Sequence, residues 1–271
     1  MTQDQYAVIG NPIKHSLSPR IHSLFAQQTN ENISYVAKAI PPQSLETALD
    51  RLQEEGFKGL SVTLPLKIAA YTHMDHHSDR ACIAECINTI KFEDSGDRFG
   101  DNTDGEGLLQ DLKKNIGIEL TGKKILVLGA GGAVRNCIWP LLNEKVNAIT
   151  IANRTPENAI SLCEHFYDDL LNACALIDIP EDTFDIIING TSASLQGTMP
   201  PITAAHFSKD TVYYDLMYGD NAAKTLAHMR TLGMVHTHDG LGMLVEQAAL
   251  QFQLWRGVLP DTQRVIEQLR T

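Results

Sequence analysis

Lys123–Val134, KKILVLGAGGAV, is the stretch whose reading decides the fold. Ile125–Leu128 is a continuous apolar run, the mark of a strand buried on both faces of a parallel sheet. Gly129, Gly131 and Gly132 follow at once, and the segment 131–144 has helix length and apolar spacing. Glycines between a buried strand and a helix are the context a dinucleotide fingerprint requires. Gly129 permits the tight turn. Gly131 lets the backbone approach a pyrophosphate, whose charge meets the unbonded N–H groups at the helix start. The position of the third glycine is filled by Val134, and a β-branched residue there is expected to push the helix slightly outward.

Downstream, the strand Ala148–Asn153 ends in Ala152-Asn153-Arg154-Thr155. An enzyme choosing NAD places Asp or Glu at this tip to accept the ribose hydroxyls. Arg154 instead offers planar, charge-assisted donors to a 2′-phosphate, which favours NADP. A helix over 156–167 and strands at Phe184–Asn189 and Val212–Leu216 continue the pattern, and helices at Met243–Arg256 and Thr262–Arg270 close the chain. Upstream, strands are expected at Tyr6–Gly10, Ile33–Ile40 and Gly59–Leu64. Cys86–Phe92 and Arg98–Asp101 read as a pair turned by Glu93–Asp97. Helices fall at Pro19–Gln28 behind a Ser18 cap, at Ser44–Glu55 ended by Gly56, and from Asp104 to Asn115. Gly117 to Gly122 reads as a connector.

Alternating strands and helices predict an α/β fold with parallel sheets. Two domains are expected: an N-terminal α/β substrate domain over 1–104 and a Rossmann-type dinucleotide-binding domain over 105–240, with a cleft between them. The helix over 104–116 would be the hinge, and helices over 241–271 would return to the first domain.

Composition agrees. The chain has 271 residues, 43% hydrophobic and 20% charged, which excludes disorder and low complexity. A net charge of −11, with no basic block, argues against nucleic-acid and anionic-membrane partners. The N-terminus lacks the basic start and apolar core of a signal peptide, and no apolar run approaches the ~20 residues of a membrane span. Five cysteines, an odd number, read as free thiols of a cytoplasmic protein, with Cys82 and Cys86 in the core of a helical stretch. His73–His77, HMDHH, tempts a metal reading, but is taken as solvated surface; no metal is expected.

Five segments carry the substrate chemistry. HSLSP (His15–Pro19) sets Ser16 and Ser18 just before a helix, and SVTLPLK (Ser61–Lys67) sets Thr63 at a strand end and Lys67 past a proline turn. INTI (Ile87–Ile90) and GDNTDGEG (Gly100–Gly107) supply Asn88, Thr103 and Asp104, and DGLGMLVEQA (Asp239–Ala248) supplies Gln247 on a helix. Together, in order and over essentially the whole chain, these segments resemble the shikimate dehydrogenase family. The resemblance implies reversible NADPH-dependent reduction of 3-dehydroshikimate to shikimate in aromatic amino-acid biosynthesis. It makes Ser16 and Ser18 look like binders of the substrate carboxylate. Thr63, Asn88, Asp104 and Gln247 look like holders of the ring hydroxyls, with Tyr218 lining the substrate side and Lys67 and Asp104 as the catalytic pair. Gly129, Ala130, Gly131, Gly132, Ala133, Asn153, Arg154, Thr155, Thr191 and Gly240 look like the NADP contacts. Where NADP-selective members often carry a second arginine stands Asn158, so Arg154 is the main phosphate partner.

The residues support those roles on their own chemistry. Oxidising a secondary alcohol requires the hydroxyl proton to leave as the carbonyl forms, and reduction requires one to be supplied. A lysine ammonium does this when a carboxylate orients it, though that charge also holds the proton more tightly. Lys67 is favoured as the acid/base and Asp104 as its orienter, with the reverse assignment open. Taken alone, Ser18-Pro19 is an ordinary helix start and either charge an ordinary surface residue. Among rivals, a quinate/shikimate dehydrogenase with NAD or dual cofactor use also fits HSLSP, but the Arg154-Thr155 tip and the Thr63-to-Lys67 spacing favour the biosynthetic branch. The methylene-tetrahydrofolate dehydrogenases lack the serine loop. A non-catalytic nucleotide sensor has no need of a proton-transfer pair. A homodimer is compatible with all of this.

Overall fold

The computed structural model describes residues 3–191 and 198–271. These form two compact units, residues 1–107 with 244–271, and residues 108–243. In the first unit, β1 (Asp4–Gly10), α1 (Ser18–Thr29), β2 (Ile33–Ala39), α2 (Leu45–Glu54) and β3 (Phe57–Val62) are followed by α3 (Lys67–Tyr71), β4 (His76–His77), α4 (Asp79–Ala84), β5 (Thr89–Phe92) and β6 (Arg98–Asp101). Its sheet runs β2-β1-β3-β5-β6-β4, with β1, β2 and β3 parallel and β5 antiparallel to both β3 and β6. The reason for α2 is plain in its sequence. Leu45, Ala48, Leu49 and Leu52 are buried at i, i+3, i+4 and i+7, and Gly56 just beyond adopts φ +84°.

The helix α5 (Asp104–Gln110) runs on as a π-helical stretch, Asp111–Ile116, and contains the boundary between the units. The second unit continues with β7 (Lys124–Leu128), α6 (Gly132–Asn143), β8 (Ala148–Asn153), α7 (Pro156–Phe166), β9 (Leu171–Ala175), β10 (Phe184–Asn189), β11 (Phe207–Asp215), α8 (Asp220–Thr231) and β12 (His236–Asp239). Its sheet is wholly parallel, in the order β9-β8-β7-β10-β11-β12. Read in sequence order, that is 3-2-1-4-5-6, the doubly wound dinucleotide-binding arrangement with its switch point between β7 and β10. Ile125, Leu126, Val127 and Leu128 are at most 1% exposed, as a strand covered on both faces must be.

The chain ends with α9 (Leu241–Arg256) and α10 (Thr262–Arg270), which from Leu244 onward belong to the first unit. Trp255 Nε1 donates to the Ile90 carbonyl at 3.0 Å, and its indole lies where a Cβ on Gly59 would be, 2.4 Å from Nε1. Arg256 pairs with Asp4 at 2.5 Å and with Glu31.

Several local readings need correction. Ser18 is not the cap of α1: Leu17 occupies that position and Ser18 is the first helical residue. Ser16 does the work instead, its Oγ accepting from the Ser18 N–H at 3.2 Å. Cys82 and Cys86 are not a helical core pair, because Glu85 in the left-handed region ends α4 between them, leaving Cys82 exposed and Cys86 buried. The strand before the Glu93–Asp97 turn begins at Thr89, three residues later than its apolar run suggests, since the Ile87 N–H is drawn off to the Lys67 carbonyl. At the Val134 position, the close approach is provided from the other side. Val134 is fully buried, and its Cγ2 would lie 2.3 Å from a Cβ on Gly190. The missing helix glycine is thus matched by a glycine at the end of β10.

Candidate active site

In the first unit, the expected substrate residues gather at one edge of the sheet. Ser16 and Ser18 follow β1, Thr63 and Lys67 follow β3, and Asp104 follows β6, all at strand carboxyl ends. Asn88 immediately precedes β5, which runs antiparallel to its neighbours and so begins at that same edge. Ligands in such sheets bind outside the carboxyl ends of the strands.

Lys67 Nζ donates to Asp104 Oδ2, with side chains only 12% and 6% exposed. A nearly buried ion pair recovers little stability after desolvation, so its presence at a strand edge points to chemistry. Asn88, 1% exposed, is the hub around it. Its Nδ2 faces Asp104 Oδ1 at 2.7 Å, Thr103 Oγ1 at 2.9 Å and Gln247 Oε1 at 3.1 Å. Its Oδ1 accepts from Thr89 Oγ1 at 2.7 Å and from the Thr103 N–H at 2.9 Å. Lys67, Asn88, Asp104 and Gln247 are therefore one connected constellation. Thr63 is half-buried, its methyl against Gly10, where an added Cβ would lie 2.5 Å away.

A second row of polar groups supports the hub, and sequence reasoning missed it. Gln251 Nε2 donates to the Asn88 carbonyl at 3.1 Å, Ser61 Oγ donates to Gln251 Oε1 at 2.6 Å, and Tyr35 OH donates to Ser61 Oγ at 2.6 Å. Burial pushes the Tyr35 phenol above its ordinary value, with Ser61 and Ser18 acting against that rise. Ser18 therefore faces the Tyr35 hydroxyl as well as starting α1. The one available signal was that Gln251 lies a helical turn beyond Gln247.

The second unit presents its own strand-end row. Gly129–Ala133 follow β7, Asn153 ends β8 with Arg154 and Thr155 after it, Thr191 follows β10, Tyr218 follows β11 and Gly240 follows β12. Tyr218 thus belongs to the second unit. Gly129 adopts φ +102°, which only glycine takes without strain. Among the described residues, nothing stands within 4 Å of a Cβ built on Gly131, and α6 begins without a side-chain cap. Arg154 is exposed at the β8 tip, and no carboxylate stands among Asn153, Arg154 and Thr155. These features fit a dinucleotide carrying a 2′-phosphate.

The histidine cluster has other work. His77 Nε2 meets the Tyr71 carbonyl at 2.9 Å, Asp75 Oδ2 accepts from the Arg98 N–H at 2.8 Å, and His76 lies 3.7 Å from Asp97. Among the described residues, no group of three His, Cys, Asp or Glu side chains is arranged to hold a metal ion, and no helix is long and apolar enough to cross a membrane.

Three family profiles match successive parts of the chain. The family profile described as the shikimate dehydrogenase substrate binding domain matches residues 8–90. The shikimate/quinate 5-dehydrogenase profile matches 111–209, and the shikimate 5′-dehydrogenase C-terminal domain profile matches 240–270. A curated shikimate dehydrogenase (NADP(+)) of Marinobacter nauticus is 46% identical over 275 residues, covering 100% of both chains. The chain belongs to the shikimate dehydrogenase family. Another family member, from Hahella chejuensis, is 47% identical over 98% of each chain. Among solved structures, shikimate 5-dehydrogenase of Thermus thermophilus, in complex with NADP(H) and shikimate, is 34% identical with a TM-score of 0.87 over 99% of both chains. An Ael1 enzyme from Pseudomonas putida is 41% identical with a TM-score of 0.90 over 98% of both.

Proposed function

We propose that the chain is an NADP-dependent oxidoreductase that reversibly reduces 3-dehydroshikimate to shikimate in the pathway to the aromatic amino acids. The observation that carries this is the nearly buried Lys67–Asp104 pair, joined through Asn88 to Gln247. In this reading, a proton donor and three hydroxyl-binding groups lie together at one sheet edge. Family membership at 43–47% identity over the whole chain supplies the reaction class.

In this reading, Ser16 and Ser18 hold the substrate carboxylate, and Thr63, Asn88, Asp104 and Gln247 hold the ring hydroxyls. Gly129–Ala133, Asn153, Arg154, Thr155, Thr191 and Gly240 hold NADP, with Tyr218 lining the substrate side. Bound there, the nicotinamide supplies or takes up the hydride. The chain's own residues handle the proton. In reduction, the Lys67 ammonium gives a proton to the oxygen at C3 as that carbonyl becomes an alcohol, and the resulting amine recovers one from solvent. In oxidation, the lysine amine accepts the hydroxyl proton. Asp104 orients the lysine, while the second Asp104 oxygen stays fixed by Asn88.

Residues 1–104 with 241–271 act as the substrate domain and 105–240 as the cofactor domain. The enzyme works in the cytoplasm on a small molecule, with neither nucleic acid nor membrane as partner, in keeping with its net charge of −11 and five free thiols. Recording NADP and NAD reduction spectrophotometrically, first with shikimate and then with quinate, tests the reading. Shikimate with NADP is expected to give the highest kcat/KM. Turnover of quinate with NAD at an equal or higher kcat/KM would assign the chain to the quinate branch instead.

A further inference from the structure

The carboxyl edge of the second sheet contains a carboxylate that the reaction does not use. Asp215 ends β11 fully buried, and among the described residues no ion pair includes it. Its Oδ2 accepts from Asn189 Nδ2 at 2.9 Å and its Oδ1 from the Met217 N–H at 2.9 Å. Asn189, also fully buried, ends β10 and passes the contact on. Its Oδ1 accepts from the Thr191 N–H at 3.1 Å and from Thr191 Oγ1 at 2.7 Å.

That loop supports the glycine turn. A Cβ built on Gly129 would lie 3.1 Å from the Gly190 carbonyl oxygen and 3.4 Å from the Thr191 methyl. Gly190 also donates its N–H to the Leu128 carbonyl at 2.8 Å. On the other side, the Met217 carbonyl accepts from the Gly240 N–H at 2.9 Å. One side chain thereby ties together the loops after β10, β11 and β12, and through them the turn after β7.

Such a carboxylate is a poor stabiliser. Burial pushes it up to about 6 against the pull of the Asn189 and Met217 donors, and Asp239 on neighbouring β12 adds negative charge. The other titratable neighbour, Tyr213 on β11, is itself held neutral by burial and by Asp215. What the carboxylate alone provides is an acceptor on each side, matched to two donors that face it.

We infer that Asp215 is a positioning residue for cofactor binding: through Asn189 it holds Gly190 and Thr191 against the Gly129 turn and so sets how tightly NADP is bound. This rests on the NADP reading above. The test is calorimetric titration of the full-length protein with NADP and, separately, with shikimate. In Asp215→Asn the new amide meets either the Asn189 amide or the Met217 N–H, donor against donor. NADP Kd is expected to rise about tenfold while shikimate Kd stays within about twofold. The reciprocal double variant, D215N with N189D, re-forms every bond with the partners exchanged. Amide 215 donates to carboxylate 189, the Met217 N–H still meets a carbonyl oxygen, and Thr191 still meets an acceptor. Its NADP Kd is expected to return to that of the unmodified chain.

A purely structural role would lower and restore the thermal midpoint without moving the Kd of the folded protein. An NADP Kd unchanged in D215N overturns the proposal. If D215N does not fold, Asn189→Ala carries the same expectation of a tenfold rise, and an unchanged Kd there overturns it equally. Failure of the unmodified chain to bind NADP at all would remove the cofactor reading and this proposal together, whereas normal binding with insensitive variants removes only the proposal.

Discussion

At the residue scale, function rests on Lys67 and its partners. Lys67→Ala should lower kcat by a factor on the order of 10² to 10⁴, the usual worth of a general acid/base. Shikimate affinity should change much less, because Asn88, Asp104 and Gln247 keep their mutual contacts. Asp104→Asn should lower kcat and weaken binding together, since that side chain meets both Lys67 and Asn88. Steady-state kinetics paired with direct shikimate binding separates the two patterns, and near-normal kcat in Lys67→Ala would move the proton to Asp104 or to a water it holds. Arg154 is a milder case. It is exposed, so solvent screens its pairing, and Arg154→Ala should raise NADP Kd by roughly tenfold while leaving NAD binding unchanged. An equal loss for both dinucleotides would show that the arginine does not read the 2′-phosphate.

At the scale of elements, the crossing of α6 over β10 depends on one missing methyl group. Gly190→Ala would place its Cβ 2.3 Å from Val134 Cγ2, with Leu216 Cδ1 at 3.2 Å behind it. Backbone conformation is no obstacle at this position, so the cost is overpacking, about 1–3 kcal/mol by chemical denaturation. The double variant Gly190→Ala with Val134→Ala should regain most of that, because the clashing branch is gone. If the double variant is no more stable than the single one, the Val134–Gly190 contact is not what sets the crossing. The start of α1 gives the opposite lesson. Ser18 reads as a cap from sequence, yet the cap position is Leu17 and the Ser18 hydroxyl faces Tyr35. Ser18→Ala should therefore act through that contact rather than by exposing helix amides.

At the scale of the whole molecule, stability in acid reports on buried groups that do no chemistry. His22 is fully buried, stacked on Tyr35 at 4.2 Å and 5°, and packed among Phe25, Phe252 and Trp255. Burial pushes its imidazole down to about 3, with Gln251 acting weakly against it. Between pH 6.5 and about 3 the unfolded chain binds the proton and the folded chain does not, so stability is lost as pH falls through that window. Asp215 has the opposite sign: its raised value makes the folded chain the better proton binder between about 4 and 6, so its contribution grows as pH falls there. His22→Leu should flatten the acid limb by up to about 1.4 kcal/mol per pH unit. Asp215 contributes equally in both proteins, so the difference between their slopes isolates His22. Urea denaturation across roughly pH 4–7.5 measures this, and an unchanged slope would mean that His22 is protonated in the folded state.

Much of this protein was legible in its sequence, because the relevant physics is local. The apolar run Ile125–Leu128, the glycines after it and the apolar spacing of α2 and α9 each specify conformation within a few residues, and a strand-end position fixes which edge of a sheet a side chain reaches. The short strands β4, β9 and β12 and the helix α3 were not legible. Their two to five residues carry too little apolar pattern to be read alone. The same division runs through the site. Lys67, Asn88, Asp104 and Gln247 were picked out by motif, but their union around the Asn88 amide required folding to join residues 159 positions apart. Tyr35 and Ser61 behind that hub, and Asp215 with Asn189 beneath the glycine turn, gave no sequence signal. A hydroxyl, an amide or a carboxylate shows its partner only when burial removes water as the alternative, and burial is a property of the tertiary structure.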